Sequence, residues 1–196
     1  MQSPLKSPAS PMRIVGGNHK GLALVGPKSQ TTRPTSDRTR EALFNILAHG
    51  IDEFELVGAR VLDLFAGTGA LGLEALSRGA SYCLFIEEAA SARALIRQNV
   101  EAMGAMGVSK IWRRDATRLG EVQNMAPFDL VFADPPYGKG LGEKALSSAA
   151  AHGWLGPSAL CVLEEAAKAA IAVPAGFQEI DRRTYGDTQV LFLRRG

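Results

Sequence analysis

The sequence contains few residues that could bind a metal or form a disulfide. Its two cysteines, Cys83 and Cys161, lie in the apolar runs YCLFI and ALCVLE, and neither belongs to a CxxC motif. We interpret both as small buried hydrophobic residues in a reducing compartment. The three histidines, His19, His49 and His152, are scattered without the spacing of metal ligands. The sequence therefore predicts neither a disulfide nor a metal site.

Long apolar runs are also missing. No run approaches the roughly 18 residues that are needed to span a bilayer. The N-terminal sequence MQSPLKSPASP lacks the apolar core of a secretory signal. We therefore expect a cytoplasmic protein. The 196 residues are 46% hydrophobic and 21% charged, which is typical of one globular domain.

Charge is unevenly distributed along the chain. The net charge is +2, but residues 1–40 contain seven basic residues and one acid, Asp37, so the remainder carries −4. This asymmetry indicates that the N-terminal segment contacts a polyanion, and a solvated tail is the alternative. The basic residues are Lys6, Arg13, Lys20, Lys28, Arg33, Arg38 and Arg40.

The N-terminal part of the chain changes character at Met12. Residues 1–11 are rich in Pro and Ser, so we predict a disordered tail, and Met12 is a candidate alternative start. MRIVGG and GLALVGP predict two short strands around a GNHKG turn. A helix should follow, capped by Thr35 or Ser36. Its apolar stripe is formed by Ala42, Leu43, Ile46 and Leu47.

From Arg60 onward, apolar strand patterns alternate with amphipathic helix patterns. The strands are ARVLDLFA, SYCLFIEE, KIWRRDA, PFDLVFAD and SALCVLEEA, and the helices are GALGLEALSRG, ASARALIRQNVEAMG and KGLGEKALSSAAAHGWL. This alternation predicts an α/β fold with a parallel sheet covered on both faces. Two further strands follow around a YGDT turn, and their short connection makes them antiparallel.

A glycine-rich turn directly follows the first of these strands, in VLDLFAGTGALG. Gly67 and Gly69 permit a tight turn and close approach of a ligand to the backbone, and Gly72 lets the next helix pack near the strand. The spacing also satisfies G-x-G-x-x-G, so a dinucleotide site has to be considered.

Three acids at strand ends favour a different ligand. Asp63 precedes the glycine loop, where a carboxylate repels a pyrophosphate but suits an ammonium group. Glu87 ends the second strand and can accept both ribose hydroxyls, while Asp115 ends the third strand beside a predicted adenine pocket. S-adenosylmethionine carries an ammonium, a ribose and an adenine but no phosphate. For Glu87 and Asp115 alone, the competing interpretation is a surface acid.

The fourth strand ends in the tetrad DPPY, at the edge of the sheet where ligands bind. Asp134 and the carbonyl of Pro135 can accept from both N–H groups of a planar amine, and the prolines hold these oxygens in place. Tyr137 offers a ring on which an extruded base can stack. The tetrad therefore predicts a rigid clamp for an exocyclic amine, with a simple polar turn as the alternative.

These motifs resemble those of a known enzyme family. DLFAGTGALG and DPPYGKG resemble the motifs of exocyclic-amine methyltransferases with a Rossmann-like fold, and MRIVGGNHKG with TRPTSDRTREALFNIL resembles the RsmD-type family. That family methylates the N2 amine of a guanine in small-subunit ribosomal RNA. The resemblance implies a class I S-adenosylmethionine-dependent fold, in which a seven-stranded sheet has the order 3-2-1-4-5-7-6 and an antiparallel last strand.

The resemblance also implies functional residues, domains and partners. The cofactor residues are Asp63, Phe65, Ala66, Gly67, Thr68, Gly69, Glu87, Asp115 and Ala116; the catalytic residues are Asp134, Pro135 and Tyr137; the RNA contacts are Arg13, Lys20, Arg33, Arg38 and Lys139. We expect a tail (1–11), a basic hairpin (12–34) and a methyltransferase domain (35–196). The substrate would be small-subunit ribosomal RNA, free or in an assembling subunit, and the enzyme a monomer. Adenine N6 or a glutamine amide is the rival acceptor.

Overall fold

A computed structural model describes residues 12–27 and 36–196 of the chain. These residues form seven strands and four α-helices in addition to short 3-10 helices. The strands are β1 (Arg60–Leu64), β2 (Tyr82–Ile86), β3 (Ser109–Trp112), β4 (Phe128–Ala133), β5 (Leu155–Ala166), β6 (Phe177–Tyr185) and β7 (Thr188–Arg195). The helices are α1 (Asp37–His49), α2 (Ala70–Ser77), α3 (Ala90–Met103) and α4 (Leu141–Ala151).

The seven strands form one mixed sheet. Their order is β3-β2-β1-β4-β5-β7-β6, which confirms the order that the family resemblance implies. Strand β1 pairs in parallel with β2 and β4, while the outer parallel pairs are β2 with β3 and β4 with β5. Strand β7 is antiparallel to both of its neighbours, β5 and β6. The predicted α/β fold with an antiparallel last strand is therefore confirmed.

Helices cover both faces of the sheet. Because side chains alternate along a strand, Val61 packs with the core on one face and Leu62 with the core on the other. The first core also receives apolar residues of α1, α2 and α3, and the second receives those of α4. The carboxyl ends of the parallel strands are left open between these layers, which is where such folds bind ligands.

Helix α1 follows the predicted pattern closely. Ser36 is its N-cap, since the Ser36 side chain accepts from Thr39 N at 3.1 Å. The alternative cap Thr35 lies outside the described residues. Leu43 and Leu47 of the predicted stripe are buried, together with Phe44.

Three predicted boundaries were wrong. Helix α4 was expected to continue to Leu155, but it ends at Ala151, and Gly153 then adopts a positive φ of 77°. Strand β5 begins at Leu155, earlier than expected, because Trp154 O accepts from Phe128 N at 2.8 Å and aligns the chain with β4. Strand β3 is also shorter than predicted and ends at Trp112.

Residues 12–27 pack on the same core as the sheet. The predicted hairpin is reduced to one antiparallel bridge, Arg13↔Ala23, and its turn contains a 3-10 helix at Gly17–His19. Its side chains Ile14 and Leu24 are buried in the core on the α1 side. The proposed tail (1–11) and the boundary at residues 34–35 lie outside the described residues.

Three buried polar side chains hold this segment by its backbone. Val15 N donates to Glu74 Oε2 at 2.8 Å, and His19 N donates to Ser77 Oγ at 2.9 Å. Val25 N donates to Asn99 Oδ1 at 2.7 Å. Glu74 and Ser77 belong to α2 and Asn99 to α3, so the segment is attached directly to the helices that flank the glycine loop.

Across residues 12–27 and 36–196, the helices are all too short or too polar to cross a lipid bilayer.

A substitution at Gly72 tests how tightly α2 packs on the sheet. A Cβ atom at this position would lie 2.4 Å from Phe85 Cε1 and 2.5 Å from Cys83 Sγ. We expect Gly72→Ala to lower the free energy of unfolding by about 1–3 kcal/mol through overpacking, although alanine favours a helix by up to about 1 kcal/mol. Urea unfolding measures this change.

The matched control is Gly107→Ala, since a Cβ atom there meets no atom within 4 Å. It should change the free energy of unfolding by less than about 0.5 kcal/mol. Equal stabilities of the two variants would contradict the tight helix–strand contact.

Candidate active site

A large cleft opens at the carboxyl ends of the parallel strands. Its volume is about 1640 Å³, whereas sites for one small molecule usually occupy roughly 300–1,000 Å³. The space is therefore sufficient for a cofactor and part of a second substrate. The cleft brings together most of the predicted cofactor and catalytic residues: Asp63, Phe65, Ala66, Gly67, Thr68, Glu87, Ala116, Asp134, Pro135 and Tyr137.

The glycine loop turns tightly between β1 and α2. Phe65, Gly67 and Gly69 all have positive φ angles, of 57°, 57° and 79°. Gly69 N donates to Ala66 O at 2.7 Å and closes the turn. A Cβ atom at Gly67 would meet nothing closer than Phe65 O at 3.9 Å, so this part of the loop presents open backbone to the cleft. Gly69 itself is buried beneath the loop.

Glu87 is held at the rim of the glycine loop by two backbone amides. Gly67 N donates to Glu87 Oε2 at 2.9 Å, and Ala89 N donates to Glu87 Oε1 at 2.8 Å. The carboxylate thus lies between the end of β2 and the loop, with a fixed orientation. In a dinucleotide site, an amide of this loop contacts phosphate. Here the Gly67 amide contacts the Glu87 carboxylate, which disfavours an anionic ligand.

Asp63 is a buried acid beneath the same loop. Its Oδ2 accepts from Gly72 N at 3.0 Å, in the first turn of α2. Burial raises the pKa of Asp63 from 3.8 to about 8, the hydrogen bond from Gly72 opposes this shift, and the Glu87 charge adds to it. A cation placed beside these two acids would favour the ionised form of Asp63.

The Asp115 carboxylate is bound within its own turn and does not line the cleft. Its carboxylate accepts from Thr117 N at 2.8 Å and from Thr117 Oγ1 at 2.7 Å. These hydrogen bonds lower the pKa of Asp115 and cap the 3-10 helix Ala116–Arg118. Ala116 lines the cleft and Asp115 does not, so the predicted adenine contact of Asp115 remains a prediction.

The DPPY corner forms the opposite wall of the cleft. Strand β4 ends at Ala133, and Asp134 follows with its side chain half-buried. Burial raises the pKa of Asp134 well above its ordinary value, and the nearby charges of Glu164, Asp63 and Glu165 raise it further. Pro135 is buried, whereas the Tyr137 side chain is 40% exposed. The corner therefore presents an acid and an accessible ring on one wall.

Two acids near the end of β5 bind the residues that follow this corner, and the sequence reasoning missed both of them. Glu164 Oε1 accepts a short hydrogen bond from the Tyr137 hydroxyl. Glu165 Oε1 accepts from Gly138 N at 2.9 Å. The signal was available, because these acids end an apolar strand in the same way as Asp63 and Asp134.

Asn99 is a further residue that the sequence reasoning missed. Its Nδ2 donates to Thr68 O in the glycine loop at 2.9 Å and to Val25 O at 3.0 Å. The side chain therefore connects the N-terminal segment, which contributes Met12 and Val25 to the cleft, with the predicted cofactor loop. A polar residue within the apolar stripe of α3 was the available signal.

Two arginines also line the cleft, but both make contacts within the protein. Arg40 Nη2 lies 2.8 Å from Asp37 Oδ1, and Arg40 Nε lies 3.7 Å from Glu74 Oε2. The Arg114 guanidinium lies 5.1 Å from the centre of the Trp112 ring. These contacts make the arginines part of the walls.

The predicted RNA contacts that the structure describes do not line the cleft. Arg13, Lys20, Arg38 and Lys139 are all exposed. The Arg13 side chain is 62% exposed and forms an ion pair with Asp37 at 3.0 Å. Arg33 lies outside the described residues. The structure therefore leaves the RNA-binding role of these five residues as a prediction.

No group of three or more His, Cys, Asp or Glu residues within the described part of the chain is arranged to hold a metal ion.

Comparisons with known proteins identify relatives over nearly the whole chain. The conserved hypothetical protein 95 family matches residues 12–194. Ribosomal RNA small subunit methyltransferase D of Escherichia coli K12 is 39% identical over 164 residues, which cover 84% of this chain and 79% of that protein. The Haemophilus influenzae protein of the same name is 33% identical over 177 residues and covers 89% of each chain.

Solved structures show the same similarity. The structure of yhhF from Escherichia coli, provisionally named a methyltransferase, has a TM-score of 0.80 and 33% identity, covering 95% of this chain and 98% of its own. HI0767 from Haemophilus influenzae, provisionally named a methylase, has a TM-score of 0.77 and 26% identity, covering 95% and 99% of the two chains.

The raised pKa of Asp63 predicts a pH-dependent stability. A carboxyl whose folded-state pKa is about 8 binds a proton more tightly in the folded state than in the unfolded state, where its pKa is near 3.8. The Asp63 contribution to the free energy of unfolding should therefore fall as the pH rises from 5 to 8. Asp63→Asn removes this titration. Between pH 5 and pH 8, the free energy of unfolding of this variant should therefore fall by roughly 2–4 kcal/mol less than that of the wild type.

Urea unfolding at pH 5 and pH 8 measures the difference. Asp52→Asn, at an exposed aspartate, is the control and should keep the wild-type dependence. The same dependence in Asp63→Asn and the wild type would show that Asp63 does not titrate in this range.

Proposed function

This chain belongs to the conserved hypothetical protein 95 family, the RsmD-type methyltransferases, and from this we propose that it methylates small-subunit ribosomal RNA. More specifically, we propose transfer of a methyl group from S-adenosylmethionine to the exocyclic N2 amine of a guanine. The observation that carries the proposal is the juxtaposition, in one cleft, of an acid-flanked glycine loop and the DPPY corner.

The cleft residues fit S-adenosylmethionine. Glu87 has a fixed carboxylate that suits two ribose hydroxyls, and Asp63 is a buried acid that suits a cationic group. The open backbone at Gly67 leaves space for the methionine part. Phe65, Ala66, Thr68 and Gly69 would complete the loop, with Ala116 and Asp115 beside the adenine. When bound, this cofactor supplies an electrophilic methyl group on a positively charged sulfur.

A dinucleotide fits the same loop poorly. Gly67 N donates to Glu87, and Gly72 N donates to Asp63, so two acids occupy positions close to where a pyrophosphate would lie. The Glu87 carboxylate would repel the phosphates, and the phosphates would further oppose the ionisation of Asp63, which burial already disfavours. The DPPY corner would also have no role in a dinucleotide oxidoreductase. We therefore favour a methyltransferase over the oxidoreductase that G-x-G-x-x-G alone would permit.

The DPPY corner would bind the acceptor amine. The nitrogen of an exocyclic amine is a weak nucleophile because its lone pair is delocalised into the ring. Asp134 and the Pro135 carbonyl can accept from its two N–H groups, and Tyr137 can stack against the base. Proline at 135 and 136 limits the movement of these oxygens.

Asp134 has to be ionised to accept a hydrogen bond from the amine and then to take up one proton. Burial and the charges of the nearby acids raise the pKa of Asp134. A cationic methyl donor in the same cleft favours the charged form of both Asp134 and Asp63. Asp134 can then accept from the amine and receive the proton that the amine loses after methylation.

Basic residues outside the cleft would bind the RNA backbone. Arg13, Lys20, Arg38 and Lys139 are exposed, and Arg33 belongs to the same basic segment. Each contact with a phosphate would steepen the salt dependence of RNA binding. We propose that the chain acts as a monomer on free ribosomal RNA or on an assembling small subunit.

Two measurements test the proposed function. Titration calorimetry should show binding of S-adenosylhomocysteine and no binding of NAD. The labelled methyl group of S-adenosylmethionine should enter ribosomal RNA or the small subunit, as N2-methylguanine. Label in adenine N6 or in a glutamine amide would support the rival acceptors, and absence of label from RNA would refute RNA methylation.

Asp134→Ala tests the clamp. This variant loses the acidic acceptor, so we expect methyl transfer to fall at least about 100-fold, while the affinity for S-adenosylhomocysteine stays largely unchanged. The control is Asp129→Ala, which removes an acid from the other end of β4, where Asp129 accepts from Arg60 N. Near-normal turnover of Asp134→Ala would contradict the clamp mechanism.

A further inference from the structure

The Tyr137 side chain combines an exposed ring with an anchored hydroxyl. The side chain is 40% exposed to the cleft. Its hydroxyl donates to Glu164 Oε1 and lies 3.4 Å from Thr188 Oγ1. A ring that serves only as a stacking surface does not need its hydroxyl to be bound. The hydrogen bond to Glu164 instead restrains the orientation of the ring relative to the cleft.

Glu164 is well placed to act as this anchor. It is only 7% exposed, and it lies within the regular pairing of β5 with β7, opposite Val190. A carboxylate fixed in a sheet loses little conformational freedom when it binds a partner, and a hydrogen bond to a charged group is stronger than one between neutral groups. The anchor is therefore more rigid than the loop that it holds.

The neighbouring acid holds the same loop at a second point. Adjacent residues of a strand point to opposite faces, and the flanking residues Val162 and Leu163 pack in the two different cores. Glu164 binds the Tyr137 hydroxyl, and Glu165 accepts from Gly138 N at 2.9 Å. The two acids thus hold consecutive residues of the loop from the two faces of the sheet.

We propose that Glu164 is a positioning residue, which acts through the Tyr137 hydroxyl to hold the ring in the orientation that aligns the acceptor base with Asp134. This inference rests on the proposed function and extends it to a residue outside the DPPY tetrad. The sheet therefore controls the geometry of the acceptor site through this contact.

The proposal predicts which kinetic constant changes. Affinity for RNA comes mainly from phosphate contacts, so a loosened ring should leave the KM for RNA nearly unchanged. Misorientation of the base lowers the rate of the chemical step. Tyr137→Phe keeps the ring and removes the hydroxyl, and we expect its kcat to fall about tenfold, which corresponds to loss of one charged hydrogen bond. Tyr82→Phe is the matched control with unchanged kcat, since Tyr82 is the first residue of β2 and does not line the cleft.

A double-mutant cycle identifies the partner of the hydroxyl. Glu164→Ala should lower kcat about as much as Tyr137→Phe, and Glu164→Gln, which keeps an acceptor, should restore part of the loss. If Glu164 acts through the hydroxyl, the double variant Tyr137→Phe, Glu164→Ala should have nearly the kcat of the single variants. Calorimetry with S-adenosylhomocysteine should give the wild-type affinity for every variant and shows that each one is folded.

The outcomes separate this inference from the proposed function. Absence of methyl transfer by the wild type would refute both. If the wild type is active, either of two results would refute the positioning role and leave the proposed function intact. One is a fully active Tyr137→Phe variant. The other is a double variant whose loss in kcat is the product of the losses in the two single variants. A changed KM for RNA with an unchanged kcat would also refute it.

Discussion

Burial of carboxylates at the carboxyl ends of the strands is the constraint on which the site depends. Ionised acids are poorly tolerated away from water unless a donor or a cation compensates them. Here Gly72 N partly compensates Asp63, and Gly67 N with Ala89 N compensates Glu87. Burial raises the pKa of Asp134 well above its ordinary value, and the charges of Glu164, Asp63 and Glu165 raise it further. This arrangement creates a cleft that favours a cationic ligand and gains charge stabilisation when one binds.

The loops around the cleft are rigid for different physical reasons. The glycine loop is closed by backbone hydrogen bonds and by positive φ angles, and it continues into α2, where Gly72 allows close packing on β2. The DPPY corner is rigid because proline restricts its own backbone and because Glu164 and Glu165 bind the following residues. Both walls are therefore fixed to the sheet, and the sheet sets the distance between them.

The N-terminal segment belongs to the same structural unit. Its backbone is bound by Glu74, Ser77 and Asn99, all of which are buried. Asn99 also binds Thr68 O, so a residue of α3 touches both the segment and the glycine loop. The segment proposed to bind RNA and the loop proposed to bind the methyl donor therefore contact one side chain.

The sequence by itself determined the α/β alternation, the glycine loop, the strand-end acids and the DPPY corner, because each depends on local periodicity or on the special backbone of glycine and proline. The resemblance in these motifs was enough to predict the strand order and the family. Only the tertiary structure decided that Asp115 binds Thr117, that Glu164 and Glu165 hold the loop after Asp134, and that Asn99 joins two parts of the cleft. The contacts of Glu164, Glu165 and Asn99 bring together residues that are far apart in the chain. The contact of Asp115 with Thr117 depends on the orientation of a side chain. Local sequence patterns could reveal neither.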